Sequence, residues 1–311
     1  MSVDNPTELE AQVENVHFPS KGLSLAGHLY MPATPSSTPA PAIVIGHQTT
    51  AVKEQSPALY AQRLVEQGFI ALTFDAAYQG ESEGEPHGLE DPFQRAEDFR
   101  SAVTYLTTRE DVDPEGIGVL GICGSGGYAP HAAQTDHRMQ AVATVSAADV
   151  PDFFRSPDPE AWEQMVEQAG ELRTQEAVGF PAELVSALPD RDEVDDSTPA
   201  SIRELVDYYK TSRGRHPRST NQWVARSADL LDQFDPFNGI DKIAPRPLLM
   251  IAGTEAATLP YSENAVEKAG ENAELVTIDG AMHADLYDKD KYVTPAVEKL
   301  TEFFDSHLTN A

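Results

Sequence analysis

A single cysteine, Cys123, in 311 residues leaves no partner for an internal disulfide and excludes a disulfide-stapled scaffold. Basic residues are also scarce. Lys+Arg number 22 against 51 Asp+Glu, a formal charge of −29, and only eight of the 22 are lysine. Binding a phosphate backbone rests on clustered cations that release counterions, so nucleic-acid binding is excluded as a main role. The same deficit disfavours docking on anionic membranes. No apolar run approaches the roughly 20 residues that a membrane helix needs. The opening Met1-Ser2-Val3-Asp4-Asn5-Pro6 has neither a basic n-region nor an apolar h-region, so no signal peptide is expected and the cytoplasm is the expected location. Aromatics are only 8%, but apolar residues reach 40%, enough for a sizeable core and against global disorder. The acidity has two readings: adaptation to high salt, where screening makes self-repulsion tolerable, or simply an acidic soluble surface. A gain in stability between low and molar salt would mark the first.

What is present is an alternation of strands and helices. Val13–Phe18 and Leu23–Tyr30 read as two strands joined by a turn at Pro19-Ser20-Lys21-Gly22, and Pro32–Pro41 reads as a loop. Ala42–Ile45, Phe69–Phe74, Ile117–Leu120 and Ala141–Val145 are the short apolar runs of buried parallel strands. Phe93, Ala96, Phe99, Val103 and Leu106 recur at helical spacing between two of them. This order predicts an α/β fold with a mostly parallel central sheet and helices on both faces. From about Val150 to Ile240 the chain turns charged and helix-leaning, and strands resume at Pro247–Ile251 and Glu274–Ile278 before a closing helix over Tyr292–Leu308. The expected organisation is a core of residues 1–149 and 241–311 with a helical cap insertion at 150–240, placed over the sheet's carboxyl edge where ligands bind in such folds.

Chemistry concentrates in Gly118-Val119-Leu120-Gly121-Ile122-Cys123-Gly124-Ser125-Gly126-Gly127-Tyr128. A buried strand running through a Gly-rich turn into a helix is the setting of a nucleophile elbow, here with cysteine in the nucleophile's place. Small residues two before (Gly121) and two after (Ser125) let the turn close. The helix N-terminus is expected to favour the thiolate, and the N–H of Gly124 to help hold an oxyanion. Ser125 is the rival nucleophile, but its register starts the turn two residues beyond the strand. Of nine histidines, His283 follows the last predicted strand, where the order nucleophile, acid, histidine places the base. His47 ends the first central strand and suits shaping the oxyanion loop; Gln48 beside it is the candidate for the second oxyanion donor. Asp75, at a strand end before a Gly-containing turn, suits tying down the loop from Tyr78 to Ser82. No His-Glu-x-x-His or Cys/His cluster appears, so no metal is called for, and the elbow is not a dinucleotide fingerprint.

Taken together, Val52-Lys53-Glu54-Gln55, Phe74-Asp75-Ala76-Ala77-Tyr78-Gln79-Gly80-Glu81-Ser82, Gly121-Ile122-Cys123, and Gly280-Ala281-Met282-His283-Ala284-Asp285-Leu286-Tyr287-Asp288 resemble the α/β-hydrolase superfamily. They are similar to its dienelactone-hydrolase-like branch with a cysteine nucleophile, which includes YcjY-type proteins and fungal polyketide transferases. Tyr208-Tyr209 and Arg213-Gly214-Arg215-His216-Pro217 carry the same likeness into the cap. The resemblance implies an α/β-hydrolase fold and an acyl-transfer site with Cys123 as nucleophile and His283 as base, and little about the substrate. The leading reading is that Cys123 attacks the carbonyl of a small-molecule ester, thioester or lactone, without a cofactor. Lys53, Tyr128 and Tyr209 are candidate substrate contacts. In similar proteins a carboxylate stands just before a Thr in the loop after the penultimate strand, where this chain has Ala257. Glu255, two residues earlier, is the nearest substitute for the catalytic acid, and Asp285 is close to the base in sequence. An acyltransferase with the same acyl-enzyme, and a non-catalytic binding protein on this scaffold, remain alternatives. A homodimer stays open.

Overall fold

The computed structural model describes residues 12–34 and 38–309; the N-terminal stretch Met1–Pro6 and residues 35–37 of the Pro-rich loop lie outside them. In chain order, β1 (Gln12–Ser20), β2 (Leu23–Met31) and β3 (Ala40–Gly46) lead to α1 (Ser56–Val65), β4 (Ile70–Phe74), α2 (Pro92–Thr107), β5 (Val112–Ile122), α3 (Ser125–Ala133) and β6 (Ala141–Val145). The segment that follows holds α4 (Val150–Arg155), α5 (Pro159–Ala177), β7 (Leu184–Ser186), α6 (Ala200–Tyr209), β8 (Gln222–Val224) and α7 (Ala228–Asp232). The chain closes with β9 (Leu248–Gly253), α8 (Leu259–Ala269), β10 (Ala273–Ile278) and α9 (Asp290–Leu308).

Eight strands form one sheet in the order β1-β2-β4-β3-β5-β6-β9-β10. The β1–β2 and β2–β4 pairs are antiparallel and the rest are parallel. This is the mostly parallel sheet that the alternation of strands and helices in the sequence implied. The pleat sends alternate residues to opposite faces. Val44, Leu72, Val119, Val142 and Met250 pack with α2 and α3, while Ile43, Ile45, Leu120, Val145 and Ile251 pack with α1 and α9. Both faces are covered, which is why these strands read as unbroken apolar runs. Helix α2 starts where it does because Asp91 accepts from the N–H groups of Phe93 and Gln94, with Pro92 at the first helical position. Between β6 and β9 the sequence pattern suggested only helices, yet β7 and β8 pair as a short antiparallel ribbon. Their three-residue length is below what a periodicity can reveal.

The topology also sets where a ligand goes. Leaving β3, the chain first adds β4 on one side and then returns to add β5 on the other. The loops after β3 and β5 therefore part at the sheet's carboxyl edge and open a crevice between them. The loops after β9 and β10 end at the same edge, two and three strands from β5.

Candidate active site

Cys123 directly follows β5 with φ +55°, a left-handed conformation that a side chain adopts at an expense of about 1–3 kcal/mol. The bend holds because its neighbours have no room to relax. A Cβ on Gly121 would lie 2.0 Å from the carbonyl oxygen of Ser125, and one on Gly126 would lie 2.6 Å from Cα of Ala147. The thiol is partly accessible and faces a cavity lined by Thr49, Thr50, Val150, Phe153, Tyr209 and His283, among others. Its rival is otherwise engaged: the Ser125 hydroxyl is buried and donates to the carbonyl of His47 at 2.6 Å.

The backbone N–H groups of Gly124 and Thr49 both meet the Cys123 sulfur. In the loop after β3, the N–H that meets the sulfur is that of Thr49, next to the expected Gln48. Gln48 is fully buried and turned inward, with its amide nitrogen on Ser56 Oγ at 2.6 Å. The chain then bends at Thr50, φ +59°, which leaves the Thr49 amide facing the crevice. His47 anchors this loop. It is fully buried, accepts the N–H of Ala76 at Nε2 (3.0 Å) and meets Arg95, and burial together with that guanidinium holds it well below the usual histidine range.

His283 opens the short turn His283–Tyr287 after β10 and is buried in the same cavity wall. Its Nδ1 meets Thr258 Oγ1 at 2.5 Å and its Nε2 meets the Tyr287 hydroxyl at 2.7 Å. Among the described residues no hydrogen bond joins the ring to a carboxylate, nor directly to the Cys123 sulfur. Glu255 is exposed and makes no described hydrogen bond with the ring, so the buried Thr258 stands where the sequence reading put Glu255. Asp285 serves its own turn: it accepts from the N–H of Met282 and pairs with Lys289. Lacking an anion beside it, His283 is pushed down by burial to about 4. Burial also raises the Cys123 thiol, offset in part by the Tyr287 hydroxyl and the two amides. Burial therefore works against the thiolate that the helix N-terminus is expected to favour. At neutral pH both groups rest uncharged.

Two further sequence candidates lie elsewhere. Lys53 is buried with Nζ between Asp75 (2.8 Å), Glu81 (2.6 Å) and Glu54 (2.9 Å), so its charge is spent inside the protein. Asp75 also accepts the N–H groups of Lys53 and Glu81, which pins the loop from Tyr78 to Ser82. Tyr128 is fully buried, donates to Glu90 at 2.8 Å and lies under Arg95; it does not line the cavity. Tyr209 does line it. His28, Glu54 and Glu81 bring ligand-type atoms within 4.8 Å of one another, but Lys53 and Arg218 already neutralise both carboxylates. Sequence reasoning missed Thr258 and Tyr287. The signal for Tyr287 was present: His283 and Tyr287 are four apart and share a face if the loop makes one helical turn.

The uncharacterized protein PA2218 of Pseudomonas aeruginosa is 37% identical to this chain over 317 residues, covering 98% of this chain and 84% of that one. The model of the dienelactone hydrolase family matches residues 25–152, which include the elbow. The chain belongs to the dienelactone hydrolase family. This α/β hydrolase superimposes on the crystal structure of PA2218 with a TM-score of 0.90 at 34% identity, over 98% of this chain and 96% of that one. The uncharacterized protein YcjY of Escherichia coli is 32% identical, covering 92% of this chain and 95% of that one. The thiohydrolase aneE of Aspergillus aculeatus is 27% identical, covering 85% and 82%. Among the described residues, no helix is long and apolar enough to cross a membrane.

Proposed function

We propose that this hydrolase cleaves esters, thioesters or lactones of uncharged, apolar acyl groups through an acyl-enzyme on Cys123. The observation that carries the reading is the meeting of the Gly124 and Thr49 amides at the sulfur of a strained, cavity-facing cysteine. Two N–H donors fixed beside the nucleophile are what a tetrahedral oxyanion requires, and fixed donors in a dry cleft act without reorganising. His283 takes the thiol proton, returns it to the leaving group, and then activates water for deacylation. Residues 150–240 act as the cap: Phe153, Phe154, Leu188, Leu205 and Tyr209 from this segment close the cavity. Among the described residues, no side chain lining the cavity carries a fixed charge, so an anionic acyl group would enter unpaired. Burying it that way costs several kcal/mol. A free thiol nucleophile suits a reducing compartment, and we place the activity in the cytoplasm.

The test is turnover of nitrophenyl acyl esters. Wild type should release nitrophenolate in a burst and carry the acyl mass on Cys123, and Cys123→Ala should do neither. Retained turnover in that variant would remove Cys123 and return Ser125 to consideration. Butyryl esters should exceed succinyl esters by about 10²-fold or more, since each 1.4 kcal/mol is tenfold. Mostly ester products in the presence of added alcohols would make the enzyme an acyltransferase instead.

A further inference from the structure

The imidazole nitrogen that should face the nucleophile faces a phenol. Nε2 of His283 meets the Tyr287 hydroxyl at 2.7 Å, and the same hydroxyl is in contact with the Cys123 thiol. From this geometry we infer that Tyr287 is a catalytic residue whose hydroxyl passes the proton between Cys123 Sγ and His283 Nε2. The inference rests on Cys123 being the nucleophile.

Valence accounting supports the direction of transfer. A phenol has one proton to donate and lone pairs to accept with. When Nδ1–H donates to Thr258 Oγ1, 2.5 Å away, Nε2 is left as an acceptor. The Tyr287 O–H then donates to Nε2, and its oxygen is free to accept the S–H. In acylation the S–H bond breaks and its proton moves to Tyr287 Oη as the phenolic proton moves to Nε2. The sulfur electron pair forms the bond to the acyl carbon, and the carbonyl π pair moves to oxygen between the Gly124 and Thr49 amides. Collapse expels the alkoxide or thiolate, which takes up the proton returned from Nε2 along the same path, so the tyrosine ends as it began. The resting state calls for such a carrier. Burial keeps the thiol protonated and the imidazole neutral, so no preformed thiolate–imidazolium pair exists to attack on its own. Packing holds the phenol in place: its ring makes edge contacts with Tyr208 (4.9 Å between centroids), Tyr209 (6.3 Å) and His283 (5.4 Å), and it is fully buried.

The experiment is single-turnover acylation by nitrophenyl butyrate, followed across pH for wild type, Tyr287→Phe, Cys123→Ala, and protein with fluorinated tyrosines of graded acidity incorporated at position 287. Tyr287→Phe keeps the ring and should slow acylation by about 10²–10³-fold, in the range of general acid–base assistance. The fluorotyrosine series should change the rate in step with phenol acidity, which a purely structural role would not do. A Phe variant within threefold of wild type, or a fluorotyrosine series with a flat rate, overturns the inference. The fluorinated proteins keep the hydroxyl and decide the matter even if the Phe variant folds poorly. A burst that survives in Cys123→Ala overturns the acyl-enzyme reading as well, because there is then no thiol proton to carry.

Discussion

Residues 118–128 set the bend that carries Cys123 almost alone, whereas the surroundings of His283 are assembled from across the chain. At the elbow, strand, bend and helix follow each other without a break, and the groups that enforce the bend, Gly121 and Gly126, are within three residues of Cys123. At His283 the ring touches Thr258 and Tyr287, its carbonyl accepts from Ser146 at 2.9 Å, and the next residue is gripped by Glu204 and Arg213. A site can therefore have one half fixed by local sterics and the other by long-range packing. The two halves should fail differently when disturbed.

The largest effect is expected at the elbow. Gly121→Ala puts a methyl group 2.0 Å from the Ser125 carbonyl, backbone against backbone, with nothing flexible to yield. The strand-to-helix bend must open, and the expected loss is about 3 kcal/mol of stability, at the upper end for overpacking, with no detectable esterase activity. Urea unfolding and the nitrophenyl assay would measure both. Near-native stability with retained activity would show that the elbow is not sterically enforced.

The base side should lose chemistry before stability. Thr258→Val keeps the β-branched shape but removes the oxygen at Nδ1, so the tautomer that leaves Nε2 as an acceptor is no longer favoured. We expect kcat/KM to fall by about 10²-fold while the thermal midpoint moves by only a few degrees. Thr258→Asp sharpens the comparison. With the base at about 4, the acid limb of the wild-type pH–rate profile should lie near that value, because the imidazole must be neutral to accept a proton. A carboxylate beside Nδ1 favours the imidazolium and should move that limb upward, past the ordinary histidine value of about 6.5. An acid limb unmoved by the aspartate would mean that His283 is not the group being titrated.

The same contrast explains what the chain disclosed in advance. The parallel strands were legible because burial on both faces makes them apolar runs, and the elbow was legible because its steric logic is contiguous. His283 was legible from its place after the last strand. Its partners were not, because a hydroxyl at Thr258 or Tyr287 carries no compositional mark and becomes notable only once packing directs it at the ring. Glu255 drew attention as a carboxylate near the expected position, yet side-chain direction decides the matter, and it points to solvent. Lys53 likewise had the right neighbours in sequence, but its charge is consumed by Asp75, Glu81 and Glu54.

The smallest effect asks whether the base side depends on the segment between β6 and β9. Glu204 on α6 is 9% exposed and accepts the N–H of Ala284 at 2.8 Å, while its other oxygen has no described partner. Burial first, and then the charge of Asp285, push its carboxyl up to about 7. A raised carboxyl means that the folded state holds the proton more tightly than the unfolded one. Its contribution to stability is therefore full below about 4.5 and is lost as pH rises through about 7. For one proton the slope cannot exceed about 1.4 kcal/mol per pH unit. Glu204→Gln keeps an oxygen for the Ala284 N–H but cannot ionise. Between pH 5 and 8 the wild type should lose stability relative to this variant, and above pH 7 its kcat/KM should decline more steeply as the ionised carboxylate and Asp285 repel each other in the turn that carries His283. Parallel stability curves for the two proteins would remove Glu204 from the support of His283, and leave it to Ser146, Thr258 and Tyr287 with Arg213 on the carbonyl of Ala284.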